Sequence, residues 1–259
     1  MNIVVIDSGV DFKHKVFDNV NVLNYTFNKK IDDWELNMQP KITNGHGTAV
    51  SSIIVNGINN LTLYSFALFD SLESSNEELV KCLQYISKNI ECSLINMSLG
   101  TVTYCAKLYD ICKELSEKNI IIVSAFDNNG GISYPAAFDC VIGVDASFRC
   151  KKKDDFVYIE NSVVNVKAKG LNQRVAWLDN KYQITQGASY SCGYVSNYIL
   201  KLLLKEQINL EQVLNHFSQN NIYKYDNALI GDVSHQVEFK RIALYPYNKE
   251  ISSIINCSS

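Results

Sequence analysis

Three short segments carry residues able to act as an acid, a base and a nucleophile. Val4-Val5-Ile6-Asp7-Ser8-Gly9 ends an apolar run on a carboxylate, with a glycine placed for a sharp turn. Asn44-Gly45-His46-Gly47-Thr48-Ala49 sets an imidazole between two glycines, at the start of a helical pattern of small and apolar residues. Gln186-Gly187-Ala188-Ser189-Tyr190-Ser191 sets a hydroxyl at the start of a long apolar helical pattern, where backbone N–H groups can stabilise an oxyanion. Each segment alone also has a structural reading: a turn-capping Asp, a packed His, an N-capping Ser. Together they hold the groups of nucleophilic acyl transfer.

The elements that must position these groups alternate short apolar runs with helical patterns. Asn2–Ile6, Leu61–Phe69, Ser93–Met97, Ile120–Ser124 and Val141–Val144 read as strands. Glu77–Asn89, Ala106–Lys118, Ser191–Lys205 and Leu210–Phe217 read as helices. The alternation predicts an α/β fold with a mainly parallel central sheet and helices on both faces. In such sheets functional residues gather at the carboxyl ends of strands. From about Asn220 the pattern becomes irregular, with a strand-like run at Val237–Leu244.

Composition narrows the classes. The chain has 259 residues, 47% of them hydrophobic, enough for one substantial core. The net charge of -3 argues against a nucleic-acid partner. Lys151 to Lys153 read as a solvated loop. No segment has the ~18–20 apolar residues of a membrane span, and the start, Met1-Asn2-Ile3, lacks a secretory signal pattern. The eight cysteines, at 82, 92, 105, 112, 140, 150, 192 and 257, form no C-x-x-C pair and are expected to be reduced thiols. A cytoplasmic protein without metal or cofactor is the expectation, and no acidic loop has the spacing of a calcium site.

The chain order acid, histidine, serine is one of the known orders of the triad. VVIDSGVD, NGHGTAVSSII and QGASYSCGYVSN resemble the three catalytic blocks of the subtilisin-like serine proteases, the subtilases of peptidase family S8. LINMSLG, residues 94–100, resembles that family's substrate-binding strand and turn. NIIIVSAFDNNG, residues 119–130, aligns with the strand that leads to the oxyanion-hole Asn, and YPAAFDCVIGV, residues 134–144, continues the match. The resemblance spans residues 2 to about 205. It implies a subtilisin-like fold over 1–205, with 206–259 as a C-terminal extension packed on the same domain.

It also implies a serine endopeptidase acting on a protein or peptide, with Asp7, His46 and Ser189 as triad and Asn128 as oxyanion donor. Asp127 is a rival for that last role, disfavoured because a carboxylate repels an oxyanion. Ser98, Leu99 and Gly100 on one side, and Ala125, Phe126 and Asp127 on the other, would wall the pocket for the residue before the scissile bond. Ser133 would sit at its base, where the family often has Gly. The sequence departs from the family at Ala188 (usually Thr), Tyr190 (usually Met) and Gly193-Tyr194 (usually Pro-His). His14, His216 and His235 read as loop residues outside the site. Limited proteolysis, such as leader-peptide removal, is the leading role. A degenerate subtilase that binds peptides without cutting them is the alternative. An esterase is disfavoured, because no G-x-S-x-G is present. Oligomeric state is not legible.

Overall fold

Strand β1 (Asn2–Asp7) alternates its side chains between two cores of buried apolar residues. Ile3 and Val5 face one helical layer, Val4 and Ile6 the other. That double burial is why the run is apolar without a break. Fully burying each such side chain contributes about 1.5–3 kcal/mol. The computed structural model describes residues 1–69, 75–128 and 131–221.

The remaining strands are β2 (Asn21–Asn28), β3 (Asp33–Leu36), β4 (Thr62–Ala67), β5 (Leu94–Met97), β6 (Ile121–Ala125), β7 (Ile142–Ala146), β8 (Phe156–Tyr158), β9 (Val166–Ala168), β10 (Gln173–Ala176) and β11 (Tyr182–Thr185). The helices are α1 (His46–Ile54), α2 (Asn76–Asn89), α3 (Ala106–Glu117), α4 (Ala188–Leu203) and α5 (Leu210–Gln219). Nine strands form one sheet in the order β3-β2-β4-β1-β5-β6-β7-β9-β8. Neighbours from β2 to β9 run parallel, and β3 and β8 close the two edges antiparallel. The sheet places α1, α4 and α5 on one face and α2 and α3 on the other. β10 and β11 form a separate two-stranded hairpin.

The expected parallel α/β architecture is therefore present. Several boundaries move by one to three residues. β4 is shorter than the run Leu61–Phe69, and α4 starts at Ala188 rather than Ser191, so Ser189 lies in its first turn. The β2–β3 hairpin, β8 to β11 and the short 3-10 turn Lys15–Phe17 are additional to the sequence reading. α5 sends Val213 and Phe217 into the first core, where the Phe217 ring lies 5.1 Å from that of Phe156. The expected strand Val237–Leu244, His235 and Cys257 lie outside the described residues. Among the described residues no helix is long and apolar enough to cross a membrane.

Candidate active site

Asp7 is the last residue of β1, so the buried strand carries its carboxylate to the carboxyl-end rim of the sheet. The side chain is 1% exposed. Its Oδ1 accepts from the Ser8 N–H at 2.7 Å and from His46 Nδ1 at 2.9 Å, and Oδ2 lies 3.0 Å from the same nitrogen. With Nδ1–H committed to Asp7, the lone pair of a neutral His46 sits on Nε2.

His46 opens α1, and three contacts fix that opening. Asn44 Oδ1 accepts from the His46 N–H at 3.0 Å. Ser8 Oγ donates to the Asn44 carbonyl and accepts from the Gly47 N–H, both at 3.0 Å, which ties the turn after Asp7 to the helix of His46. Gly47 has no room for a side chain: a Cβ there would meet the Gly9 carbonyl oxygen at 2.4 Å. Burial of the imidazole disfavours its charged form, while the charge and hydrogen bond of Asp7 favour it. The balance holds the His46 pKa above its ordinary value of 6.5.

Ser189 is the second residue of α4, in a turn whose N–H groups have no helical carbonyl to bond. Gly187 precedes it with φ 146°, a backbone state that favours glycine. The Ser189 hydroxyl donates to the Ser98 carbonyl at 3.3 Å and not to the His46 ring. The single Ser98 hydroxyl proton is shared between the Ser189 carbonyl at 3.2 Å and Asn96 Oδ1 at 3.1 Å. Asn96 Nδ2 continues this buried chain to Cys192 Sγ and Ser196 Oγ. Burial pushes the Cys192 thiol up to about 12, so it is an inert packing group.

Asn128 Oδ1 accepts from the Ala188 N–H at 2.8 Å. That contact uses the amide oxygen and leaves the NH2 end as donor. Asn128, His46 and Ser189 line one cavity of about 600 Å³. A second cavity of about 290 Å³ shares Ser189, Asn128, Ser98, Leu99 and Gly100 with it, and adds Ala125, Phe126, Asp127 and Ser133. Every pocket residue named from sequence lines this smaller cavity. The buried Ser133 accepts from the Asp127 N–H at 3.2 Å, and its Oγ stands 3.2 Å from where a Gly100 Cβ would be. It thereby spans the two walls.

The other described histidines are elsewhere. His14 is fully buried and caps the 3-10 turn, accepting from Val16 N at Nδ1 and facing the Lys181 carbonyl with Nε2 at 3.1 Å. It is a structural group rather than an open loop residue. His216 lies on α5, with Nε2 3.6 Å from Glu206 Oε1. Among the described residues no group of three or more His, Cys, Asp or Glu converges on a metal position, and seven cysteines stand as free thiols. Sequence reasoning missed Ser8, Asn96 and the Ser98 carbonyl. Ser8 and Ser98 lie inside quoted motifs, but nothing local signals a hydrogen bond to a residue 36 or 91 positions away.

The family profile described as "Subtilase family" matches residues 1–223. The chain is similar to the minor extracellular protease Epr of Bacillus subtilis (strain 168), 25% identical over 88% of this chain and 36% of the relative. It is similar to subtilisin DY of Bacillus licheniformis, 27% identical over 73% of this chain and 74% of the relative. This chain thus spans about a third of Epr's length and about three quarters of subtilisin DY's. Its fold is similar to the solved prenylagaramide maturation protease PagA, with a TM-score of 0.64 at 21% identity, covering 83% of this chain and 81% of that one.

Proposed function

This chain belongs to the subtilase family, and from that premise we propose that it is a serine endopeptidase with Asp7, His46 and Ser189 as its triad. The observation that carries the reading is the bonding of His46 Nδ1 to both Asp7 oxygens, at the cavity that Ser189 and Asn128 line. Asp7 fixes the tautomer, and His46 Nε2 takes the Ser189 proton as Oγ bonds to the scissile carbonyl carbon. The Ser189 N–H and the Asn128 amide NH2 receive the oxyanion. The carbon–nitrogen bond then breaks as Nε2 passes its proton to the leaving amine. Water, deprotonated by the same nitrogen, then attacks the acyl carbon, and Nε2 returns the proton to Ser189 Oγ as the ester bond breaks and the acid product leaves. For this step the Ser189 hydroxyl must leave the Ser98 carbonyl and turn towards His46.

The substrate is a peptide segment, and the cavity lined by Ser98–Gly100, Ala125–Asp127 and Ser133 takes the side chain before the cut. Maturation of a particular peptide, such as leader removal, is the role we favour. The fold similarity to a maturation protease supports it. The seven unbridged cysteines support a reducing, cytoplasmic setting, which thiol titration of the denatured, unreduced protein tests by counting close to eight. The second reading, a peptide-binding protein that does not cut, is favoured by the Ser189–Ser98 hydrogen bond alone.

A serine-directed fluorophosphonate separates the two. Labelling of Ser189, lost together with peptide hydrolysis in a folded Ser189→Ala variant, supports the protease. Labelling at Ser191, or none in the native chain, overturns it.

A further inference from the structure

Tyr190 follows the nucleophile directly and is 4% exposed. Its ring centroid lies 5.7 Å from that of His46, with 54° between the planes. Its phenol oxygen accepts from Thr185 Oγ1 at 3.0 Å. Thr185 is the last residue of β11. The partner strand β10 leads into Trp177, whose ring lies over Gly45: a Cβ there would come within 2.5 Å of Trp177 Cδ2 and Cε2. Gly45 is the residue before His46. One hairpin thus bears on the surroundings of the histidine twice: Trp177 covers Gly45, the residue before it, and Thr185 bonds the Tyr190 ring that lies against the imidazole.

The hairpin is itself held. Its turn carries the Lys181 carbonyl that faces His14 Nε2, and Asn180 Oδ1 accepts from the Lys15 N–H at 2.8 Å. Ala176 N–H reaches Ser52 Oγ on α1 at 3.4 Å. These contacts fix the hairpin to the first turns of the chain and to the helix that bears His46.

A mechanical need accompanies the geometry. The bond from Asp7 fixes the direction of Nδ1–H but leaves the imidazole plane able to tilt about that line. Tilt moves Nε2, and displacing a reacting atom by about 1 Å can cost ~100-fold in rate. A packed ring on the imidazole limits the tilt. We propose that the β10–β11 hairpin positions His46, with Tyr190 as the positioning residue that sets the ring plane and Thr185 as its anchor. This rests on the reading of His46 as general base.

The test compares Tyr190→Ala, Tyr190→Phe, Thr185→Val and the Phe/Val double variant in the full chain. Tyr190→Ala should lower kcat about tenfold with KM within twofold. Tyr190→Phe should recover most of that, because the ring remains. Tyr190→Phe and Thr185→Val break one shared hydrogen bond. Each should lower kcat about two- to threefold, and the double variant no further. Solvent exchange of the His46 Nδ1 proton, followed by NMR, should accelerate in the same order, and this readout exists whether or not the chain cleaves a peptide. Unchanged kcat and exchange in Tyr190→Ala would overturn the proposal, as would a rise in KM alone or additive effects of the Phe and Val changes. Should Tyr190→Ala fail to fold, the Phe and Val variants decide. A native chain that neither cleaves nor takes the fluorophosphonate is a failure of the protease reading. The proton-exchange ranking still decides the positioning.

Discussion

The two halves of the site are held differently. The acid–base half is fixed: Asp7 is almost wholly buried, takes bonds from Ser8 and His46, and its turn is tied by Ser8 to the helix of His46. The half proposed to supply the nucleophile is held differently. The Ser189 hydroxyl rests 3.3 Å from a backbone carbonyl, and Asn128 is exposed. The difference teaches where organisation is needed before substrate arrives. A carboxylate beneath a base must be desolvated and oriented in advance, whereas a hydroxyl rotor realigns at little cost when a carbonyl carbon enters.

The largest effect should come from the fixed half. Asp7→Asn keeps the shape but removes the charge, and its NH2 group imposes the wrong tautomer on His46. The expected fall in kcat is about 10⁴-fold, read by single-turnover hydrolysis. A fall below tenfold would show that the buried pair is structural. The open half should respond less. Asn128→Ala removes one oxyanion donor and should lower kcat about 10²–10³-fold with little change in KM. If Asp127→Ala produced that loss and Asn128→Ala did not, the rival alignment would be correct.

A pH profile sharpens the contrast. The His46 pKa is raised, so the neutral base is lost as pH falls through a value above 6.5, and the acid limb of kcat/KM should lie above that point. The stability linked to the same pair has the opposite sense. It is fully present below the unfolded imidazole value and is lost as pH rises through the raised one. A limb at or below 6.5 would mean that Asp7 does not act on His46 as the geometry requires.

The smallest expected effect concerns specificity. Asp127→Gly removes a carboxylate-bearing side chain from the residues lining the smaller cavity. A cleavage profile moving from basic towards large apolar residues would place that carboxylate in the pocket. An unchanged profile would assign the pocket to Ser133 and its neighbours.

Much of this was legible from local pattern. Strand β1 was plain because burial on both faces leaves no polar alternation, and α2 and α3 were plain because each has one buried face. Strands β8 to β11 were not, since three or four residues are too few to display a period. The β2–β3 hairpin escaped because β2 is only partly covered and buries Asn24, whose side chain clamps the Val10 backbone. His14 looked like a loop residue because its partners, Lys181 and Tyr182, are remote in sequence.

The sequence by itself determined the inventory of chemical groups, their order, and the glycines that let His46 and Ser189 sit where backbones nearly touch. These follow from residue type and short-range spacing. Only the tertiary structure decided that the Ser189 hydroxyl rests on Ser98, that Asn128 offers its NH2 end, and that Tyr190 turns onto His46 under a hairpin anchored by His14. Those are choices among partners for a rotatable group. They are made by packing between segments 60 to 167 residues apart, and short-range periodicity carries no record of them.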